Sequence, residues 1–533
     1  MKKVYLKPAI EILEEELTQM LCSSTVINPG EPNKPAGARG WDFWDETHTT
    51  ELDEPRFVDG GAVTRHVFWG EASSGSQTTL FGDKAASTRQ TTLFGEPSTH
   101  ILEINSKTGL YPLYVTYSMF RASIGDRLSD ASPEEQREAW NEVVRNRIFV
   151  ICKTPMAKAI TKRTLVGYSK SIRINMRYVE DLDNVMANKR QQFMRKVARG
   201  SYWDNQFGGA VEFSAIVGNP PYQKDDGGHG TSASPVYQEF VETAIDLKPD
   251  YVSMITPSRW FSGGKGLDDY RDRMLHDHHL RKLVDFPKLY EPFPNVKIRG
   301  GISYFLWDRS WDGPCTIQTM ADGKPVGGAV ARYLDEFDVL VRRNEAVPIL
   351  QKVRAKDEPT LDRRVSSRKP FGLPTNYSGG RKSPEGLTGP VKLFANQKIL
   401  WTERSEILRN ADWINAWKVL MTRVQGTSAA TETQFLSKPI IAGPGTACTE
   451  TYLVAGLFNS KDEADSYASY LRTRLVRFLV SLRKSTQDAA RDVYAFVPDL
   501  TYDHPWTDEL LYERYSLTEE EISFVENTVK PMG

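Results

Sequence analysis

The sequence predicts an α/β protein: a Rossmann-like, doubly wound, mostly parallel sheet followed by an α+β region. Three observations carry this expectation. From residue 100 onward, short apolar strands alternate with helix-like stretches. One strand, Glu212–Val217, runs almost directly into Asn219-Pro220-Pro221-Tyr222. Beyond about residue 320 the alternation loosens into turn-rich pieces and one long helical pattern. Strands alternating with helices favour a parallel sheet covered on both faces, and such sheets bind ligands beyond the carboxyl ends of their strands.

Taken in order, residues 1–99 differ from the rest. A short helical pattern (Ile10, Leu13, Leu17, Leu21) gives way to INPGEPNKPAGARGWDFWDE, and after a strand-like piece at Val63–Trp69 a polar run follows. This reads as a leader and flexible linker. Within it the hexapeptide QTTLFG occurs twice, at Gln77–Gly82 and Gln90–Gly95. An exposed Leu-Phe pair on a tether suits an apolar pocket. The stretches Gln77–Phe81 and Gln90–Phe94 resemble the short peptides that dock on the bacterial replication sliding clamp; a duplicated linker is the plainer reading.

The core is expected over residues 100–315, with strands at His100–Ile104, Arg147–Cys152, Glu212–Val217, Tyr251–Ile255, Lys282–Phe286 and Ile302–Trp307. Helices are expected at Leu113–Ala122 and in TPMAKAITKRTLVGY. Residues 316–500 read as a second domain containing a helix at Ala464–Leu482, and residues 501–533 as a helical tail.

Composition narrows the function classes. At 533 residues the chain is too long for one hydrophobic core. A 40% hydrophobic and 26% charged content suits a globular protein. No apolar run approaches the ~20 residues that span a bilayer. With 68 Lys+Arg against 69 Asp+Glu, the chain lacks the cationic excess of a protein that coats nucleic acid nonspecifically, although a local basic cleft is compatible with that balance. The cysteines, Cys22, Cys152, Cys315 and Cys448, are far apart, so neither a zinc site nor a disulfide framework is expected. The N-terminal MKK is followed by Glu11, Glu14, Glu15 and Glu16 rather than an apolar signal segment, which favours the cytoplasm.

The segment with the clearest chemistry is FSAIVGNPPYQ. Methylating an exocyclic amine on a planar base needs acceptors for its two N–H bonds, so that the nitrogen lone pair faces an electrophilic methyl group. The Asn219 carboxamide and a neighbouring backbone carbonyl meet that need. Pro220 and Pro221 stiffen the turn and remove competing N–H groups. Tyr222 offers a face for stacking. A duplex hides the amine, so the base must be flipped out, at a cost of roughly a few kcal/mol.

The ordered set ILEINSKTGLYPLY, CKTPMAKAITKRTLVGY, AIVGNPPYQ, SMITPSRWFSGGKGLDDYR and GGISYFLWD resembles an adenine-specific N6 DNA methyltransferase of the Eco57I-like restriction–modification family. The pieces TETYLVAGLF, RFLVSLRKSTQDAARDVYAFVP and PWTDELLYERYSLTEEEI resemble that family's target-recognition region, so the likeness covers roughly residues 95–533. The resemblance implies S-adenosylmethionine as donor, a catalytic loop of Asn219, Pro220, Pro221 and Tyr222, and double-stranded DNA as partner. It also implies a donor-binding loop with Glu103 attracting the donor's ammonium and Gly109 letting the backbone approach, while Asn105 or Asp181 contacts the nucleoside. Lys107 stands where the family's first glycine is expected, and Lys153-Thr154 replace the acid for the ribose.

Several residues outside the loop are also singled out. His229 reads as a loop residue rather than a catalyst, and Tyr237 and Phe240 as pocket wall or core. Arg259 and Trp260 fall at the expected ligand edge, as phosphate contact and stacking residue. Lys369, Arg381 and Lys382 suit a groove-lining loop, and Arg472, Arg483 and Lys484 a helix face turned to solvent or DNA. No metal site is expected. The first hundred residues lack a convincing set of nuclease carboxylates, so any restriction endonuclease is expected on a separate chain. The alternatives are an NPPY methylase acting on RNA or a protein amide, and a catalytically weakened DNA-binding remnant.

Overall fold

A computed structural model describes residues 93–532 apart from 206, 225–233, 289–290, 292, 294–297, 299, 425–434 and 485–487. The readings placed on residues 1–92, including Cys22 and Gln77–Phe81, and on His229 lie outside the described residues.

Nine strands make one sheet: β1 (Ile101–Ser106), β2 (Ile148–Cys152), β3 (Asn175–Tyr178), β4 (Ala215–Gly218), β5 (Tyr251–Pro257), β6 (Leu280–Phe286), β7 (Ile302–Asp308), β8 (Cys315–Ala321) and β9 (Lys324–Arg332). Their order is β3-β2-β1-β4-β5-β7-β6-β8-β9. The first five pair in parallel, and β7 runs antiparallel between β5 and β6. This is the doubly wound architecture expected from the sequence. Every residue of β1, β2 and β4 is buried, which explains why these strands read as unbroken apolar runs rather than alternations. The chain moves outward from β1 to β3, then returns to β4 on the other side of β1. The carboxyl ends of β1 and β4 therefore flank a topological switch point, where open α/β sheets bind ligands.

Three strands of this sheet, β3, β8 and β9, are not among those the sequence predicts. β3 is only four residues, NMRY, and its buried half is too short for a period. β9, KPVGGAVAR, is exposed over eight of its nine residues and contains two glycines, so it has no apolar face to announce it. The sheet consequently continues past Cys315, where the sequence reading ended the core, as far as Arg332.

C-terminal to the large sheet lie two three-stranded sheets, β11-β10-β14 and β13-β12-β15, made from β10 (Pro390–Ala395), β11 (Lys398–Glu403), β12 (Trp417–Thr422), β13 (Ile440–Ala442), β14 (Thr446–Cys448) and β15 (Tyr452–Phe458). The helix expected at Ala464–Leu482 is two helices, Lys461–Arg472 and Arg474–Arg483. Thr473 breaks them: its backbone is extended at φ −58 and ψ 150, and its hydroxyl accepts from the Val476 N–H as an N-cap. The tail forms Asp508–Arg514 and Glu519–Thr528.

The second QTTLFG copy also departs from expectation. Leu93–Gly95 forms a short 3-10 turn, Phe94 is 5% exposed, and Phe94 packs in one core with Tyr111, Val115 and Met119 of the Leu110–Ile124 helix. Leu93 packs against the same core. The Leu-Phe pair in Gln90–Phe94 is thus part of the fold rather than an exposed clamp anchor, because that helix presents an apolar face that needs cover.

One buried ion pair links the large sheet to the segment after β9. Asp285, at the end of β6 and 1% exposed, accepts from Arg342 Nε and Nη2, both at 2.7 Å, and from Ser258 Oγ at 2.8 Å. Arg342 also donates to Gly300 O at 2.7 Å. Replacing only one partner leaves the other charge buried, which typically costs roughly 3–5 kcal/mol. Arg342→Met is expected to lower stability by about that amount in urea unfolding. The pair Arg342→Met with Asp285→Leu is expected to recover part of the loss.

Candidate active site

The site is built by two strand ends that the sheet forces together. Glu103 pairs with Val217 across β1 and β4, so the residues just beyond, Asn105 and Asn219, become neighbours. Gly218 makes this possible: a Cβ there would lie 3.0 Å from Ile104 O. Asn105 takes a left-handed backbone at φ 77, and its side-chain Nδ2 donates to Asn219 O at 3.1 Å. The loop after β1 thus holds the loop after β4 directly. Because Asn105 is 2% exposed and its amide N–H is committed to Asn219, its main contact is with the Asn219–Tyr222 loop, a role the sequence did not indicate.

The β1 loop is also held from the helix side. Ser106 Oγ lies 3.1 Å from Thr161 Oγ1 on the Pro155–Val166 helix. Gly109 has φ 80, and a Cβ on it would come within 2.9 Å of Thr161 Cα, so only glycine fits. Glu103 is 3% exposed, and its Oε2 is shielded without a hydrogen-bond partner. Burial pushes its carboxyl up to about 8, against the pull of the Ser106 hydroxyl and the Lys107 charge. Partial burial holds Lys107 below the usual lysine value, with the Glu103 charge opposing and the Lys153 charge adding to the effect. Lys153, where a ribose-binding acid was expected, pairs with Asp183 Oδ2 at 2.7 Å. Asp183 is itself 5% exposed, and its Oδ1 has no partner. Asp181 is exposed at the start of the next helix, with φ 49.

Beyond β4, Pro220 is buried and Asn219 Oδ1 is shielded with no hydrogen-bond partner. The Tyr222 hydroxyl is likewise buried and unpartnered, and burial with Tyr111 nearby holds it well above the ordinary tyrosine value. Such atoms are uncommon in native interiors, and these two sit three residues apart on one loop, which makes them candidates for contact with another molecule. The Phe293 ring lies 6.3 Å from Tyr222 at 70°. Phe293 was missed in the sequence; the signal available was an aromatic in the EPFPNVKIRGG connection between β6 and β7.

The remaining sequence candidates divide. Arg259, in the 3-10 turn after β5, has a shielded Nε without a partner and lies near Tyr237. Trp260 is fully buried against Phe261 and Tyr270, so it is core and not a stacking residue. Tyr237 and Phe240 are core as well. Arg483 is not a free cation: it pairs with both oxygens of Asp338 and lies over the Phe496 ring. Lys369 Nζ is 3.6 Å from Glu450. Arg472 is half-buried, and Lys484 ends its helix. Arg381 and Lys382 are exposed, with the Arg381 backbone paired to Trp401 on β11. Among the described residues no group of three or more His, Cys, Asp or Glu is arranged to hold a metal, and no helix is long and apolar enough to cross a membrane.

A doubly wound sheet with an Asn-Pro-Pro-Tyr loop beside an acidic β1 end has the architecture of a Rossmann-like methyltransferase core. Residues 146–293 match the family model described as Eco57I restriction-modification methylase. A stretch of 122 residues, 22% of this chain, is 34% identical to an uncharacterized adenine-specific methylase of Mycoplasma pneumoniae (strain ATCC 29342 / M129 / Subtype 1), and it spans 29% of that protein. Among solved structures, the Type IIL restriction-modification enzyme MmeI in complex with DNA is 11% identical, with 81% of this chain and 68% of that chain covered at a TM-score of 0.46. A modification subunit of a putative type I restriction enzyme from Vibrio vulnificus YJ016 is 14% identical, with 42% and 44% covered at 0.29.

The raised Glu103 carboxyl sets a sign for pH dependence. Between its ordinary value of 4.5 and about 8 the folded state binds more protons than the unfolded state, so stability falls as pH rises through that window and levels off above it. Glu103→Gln is expected to flatten this slope in urea midpoints measured from pH 5 to 9.

Proposed function

We propose that this chain is a site-specific DNA methyltransferase that moves a methyl group from S-adenosylmethionine to the N6 amine of a flipped adenine. It acts in the cytoplasm as the modification component of a restriction–modification system. The observation that carries this reading is the unpartnered Asn219 Oδ1 beside the Tyr222–Phe293 ring pair, within a segment that matches the Eco57I family.

The residues fit the donor at its ammonium end. Glu103 has an unpartnered carboxylate oxygen within β1, and Gly109, in the loop that follows, leaves the backbone open to close approach. Asp183 Oδ1, held beside Lys153, is the acceptor available to a ribose hydroxyl. S-adenosylmethionine supplies an electrophilic methyl group on a sulfonium centre. The protein's part is to bind and orient. Asn219 Oδ1 accepts one amine N–H, and the backbone carbonyl beside it accepts the other, which turns the lone pair outward. Tyr222 and Phe293 hold the base by its faces, and Asn105 fixes the loop that carries these acceptors. No covalent enzyme intermediate is needed: the amine nitrogen would bond the methyl carbon as its bond to sulfur breaks, S-adenosylhomocysteine would leave, and one amine proton would pass to solvent, with positioning lowering the barrier.

Sequencing DNA from cells expressing the chain with a method that detects N6-methyladenine is expected to find modification at one motif. Asn219→Ala is expected to reduce it by roughly 100-fold or more, the usual loss for one preorganised hydrogen-bonding group. Modification no higher than in cells without the chain would overturn the proposal. Lys107 at the glycine position favours one competing reading, a silent DNA-binding protein, which predicts no heat of binding with S-adenosylmethionine.

For DNA contact, Arg381 and Lys382 are the exposed cations that keep the role expected of them. Replacing each with Ala is expected to weaken binding about equally on all sequences and to reduce the salt slope by about 1 per residue.

A further inference from the structure

The duplicated hexapeptide, unused by the catalytic reading, has a structural consequence that does not depend on it. We propose that the cleft over the Leu110–Ile124 helix is a binding site for a Leu-Phe-Gly turn, and that Leu80-Phe81-Gly82 is a second ligand for it, in exchange with Leu93-Phe94-Gly95.

Two kinds of contact hold the present occupant. The side chains are one: Phe94 is buried with Tyr111, Val115 and Met119, and Leu93 packs against the same core. The other comes from Arg147, 2% exposed, which donates through Nη2 to Phe94 O at 2.6 Å and Glu96 O at 2.7 Å, and through Nε to Thr99 O at 3.4 Å. These acceptors are all backbone carbonyls, which any residue supplies. A peptide with the same Leu-Phe-Gly side chains is therefore gripped in the same way.

The chain contains such a peptide thirteen residues upstream, with all six residues of QTTLFG identical. The position after it is Asp83 in place of Glu96, so the negative charge that supports the buried Arg147 is kept. The differences favour the downstream copy. Thr99 Oγ1 donates to Leu93 O at 2.7 Å, and the corresponding upstream residue is Ala86. Upstream binding also loops out the residues between Ala86 and His100, just before β1. Loop closure grows only with the logarithm of loop length, so this penalty does not forbid the exchange. The downstream copy is the major ligand, and damage to it passes the site to the upstream copy.

The test compares thermal melts of the full chain carrying Phe81→Ala, Phe94→Ala, or both. Phe81→Ala is expected to melt like the unsubstituted protein. Phe94→Ala is expected to lose only part of the melting temperature that the double variant loses, with the double variant falling about twice as far. That gap is expected to stay constant over a tenfold range of protein concentration. Coincident melts of Phe94→Ala and the double variant would overturn the proposal, as would a gap that widens with concentration, which signals insertion from another chain. Where alanine prevents folding, Phe94→Leu and Phe81→Leu/Phe94→Leu carry the same comparison.

Discussion

The close approach of β1 and β4 at their carboxyl ends is the constraint on which the site depends. Gly218 lets the two strands pair until Ile104 O is nearly in contact with the next backbone, and the chain then leaves both strands through asparagines joined by one hydrogen bond. A side chain at residue 218 would wedge the strands apart. It would separate Glu103 and Asn105 on β1 from the loop that carries Asn219. The prolines stiffen one side of this junction, and the left-handed Asn105 backbone and Gly109 shape the other. Rigidity here is a matter of geometry, since a displacement of about 1 Å in a positioning enzyme is costly in rate.

What the sequence made readable follows the range of the interactions. The Asn219–Tyr222 loop could be read because its chemistry is local: four successive residues hold every group involved. The core strands could be read because burial on both faces leaves unbroken apolar runs. Phe293 could not, because its meaning depends on Tyr222, far away in sequence, and no periodicity marks its loop. Trp260 misled for the opposite reason, since an aromatic at a strand end suits a ligand edge until the next turn buries it. Arg483 looked like a helix-face cation because Asp338, which neutralises it, precedes it by 145 residues.

The same pairing explains how a nearly neutral chain divides its charge. Arg342, Arg483, Lys153 and Lys369 are each engaged by a carboxylate, so a count of cations overstates what is free to meet phosphate. The proposed donor pocket shows the effect at close range. Lys107 and Lys153 stand near Glu103 and Asp183, so the pocket is closer to neutral than one lined by acids alone. A neutral pocket attracts a cationic ligand less strongly over distance, and leaves more of the recognition to hydrogen bonds and shape.

The ring pair beside Asn219 carries a kinetic implication for the proposed base pocket. Tyr222 and Phe293 meet edge to face, and the Tyr222 hydroxyl is sealed from solvent, so this arrangement leaves no slot for a flat base. A base enters only the fraction of molecules in which the rings have parted. The apparent affinity for an extrahelical base is its intrinsic affinity scaled by that fraction. A closed resting pocket therefore acts as a filter. It discriminates against ligands that cannot hold the rings open, before any hydrogen bond to the amine is made.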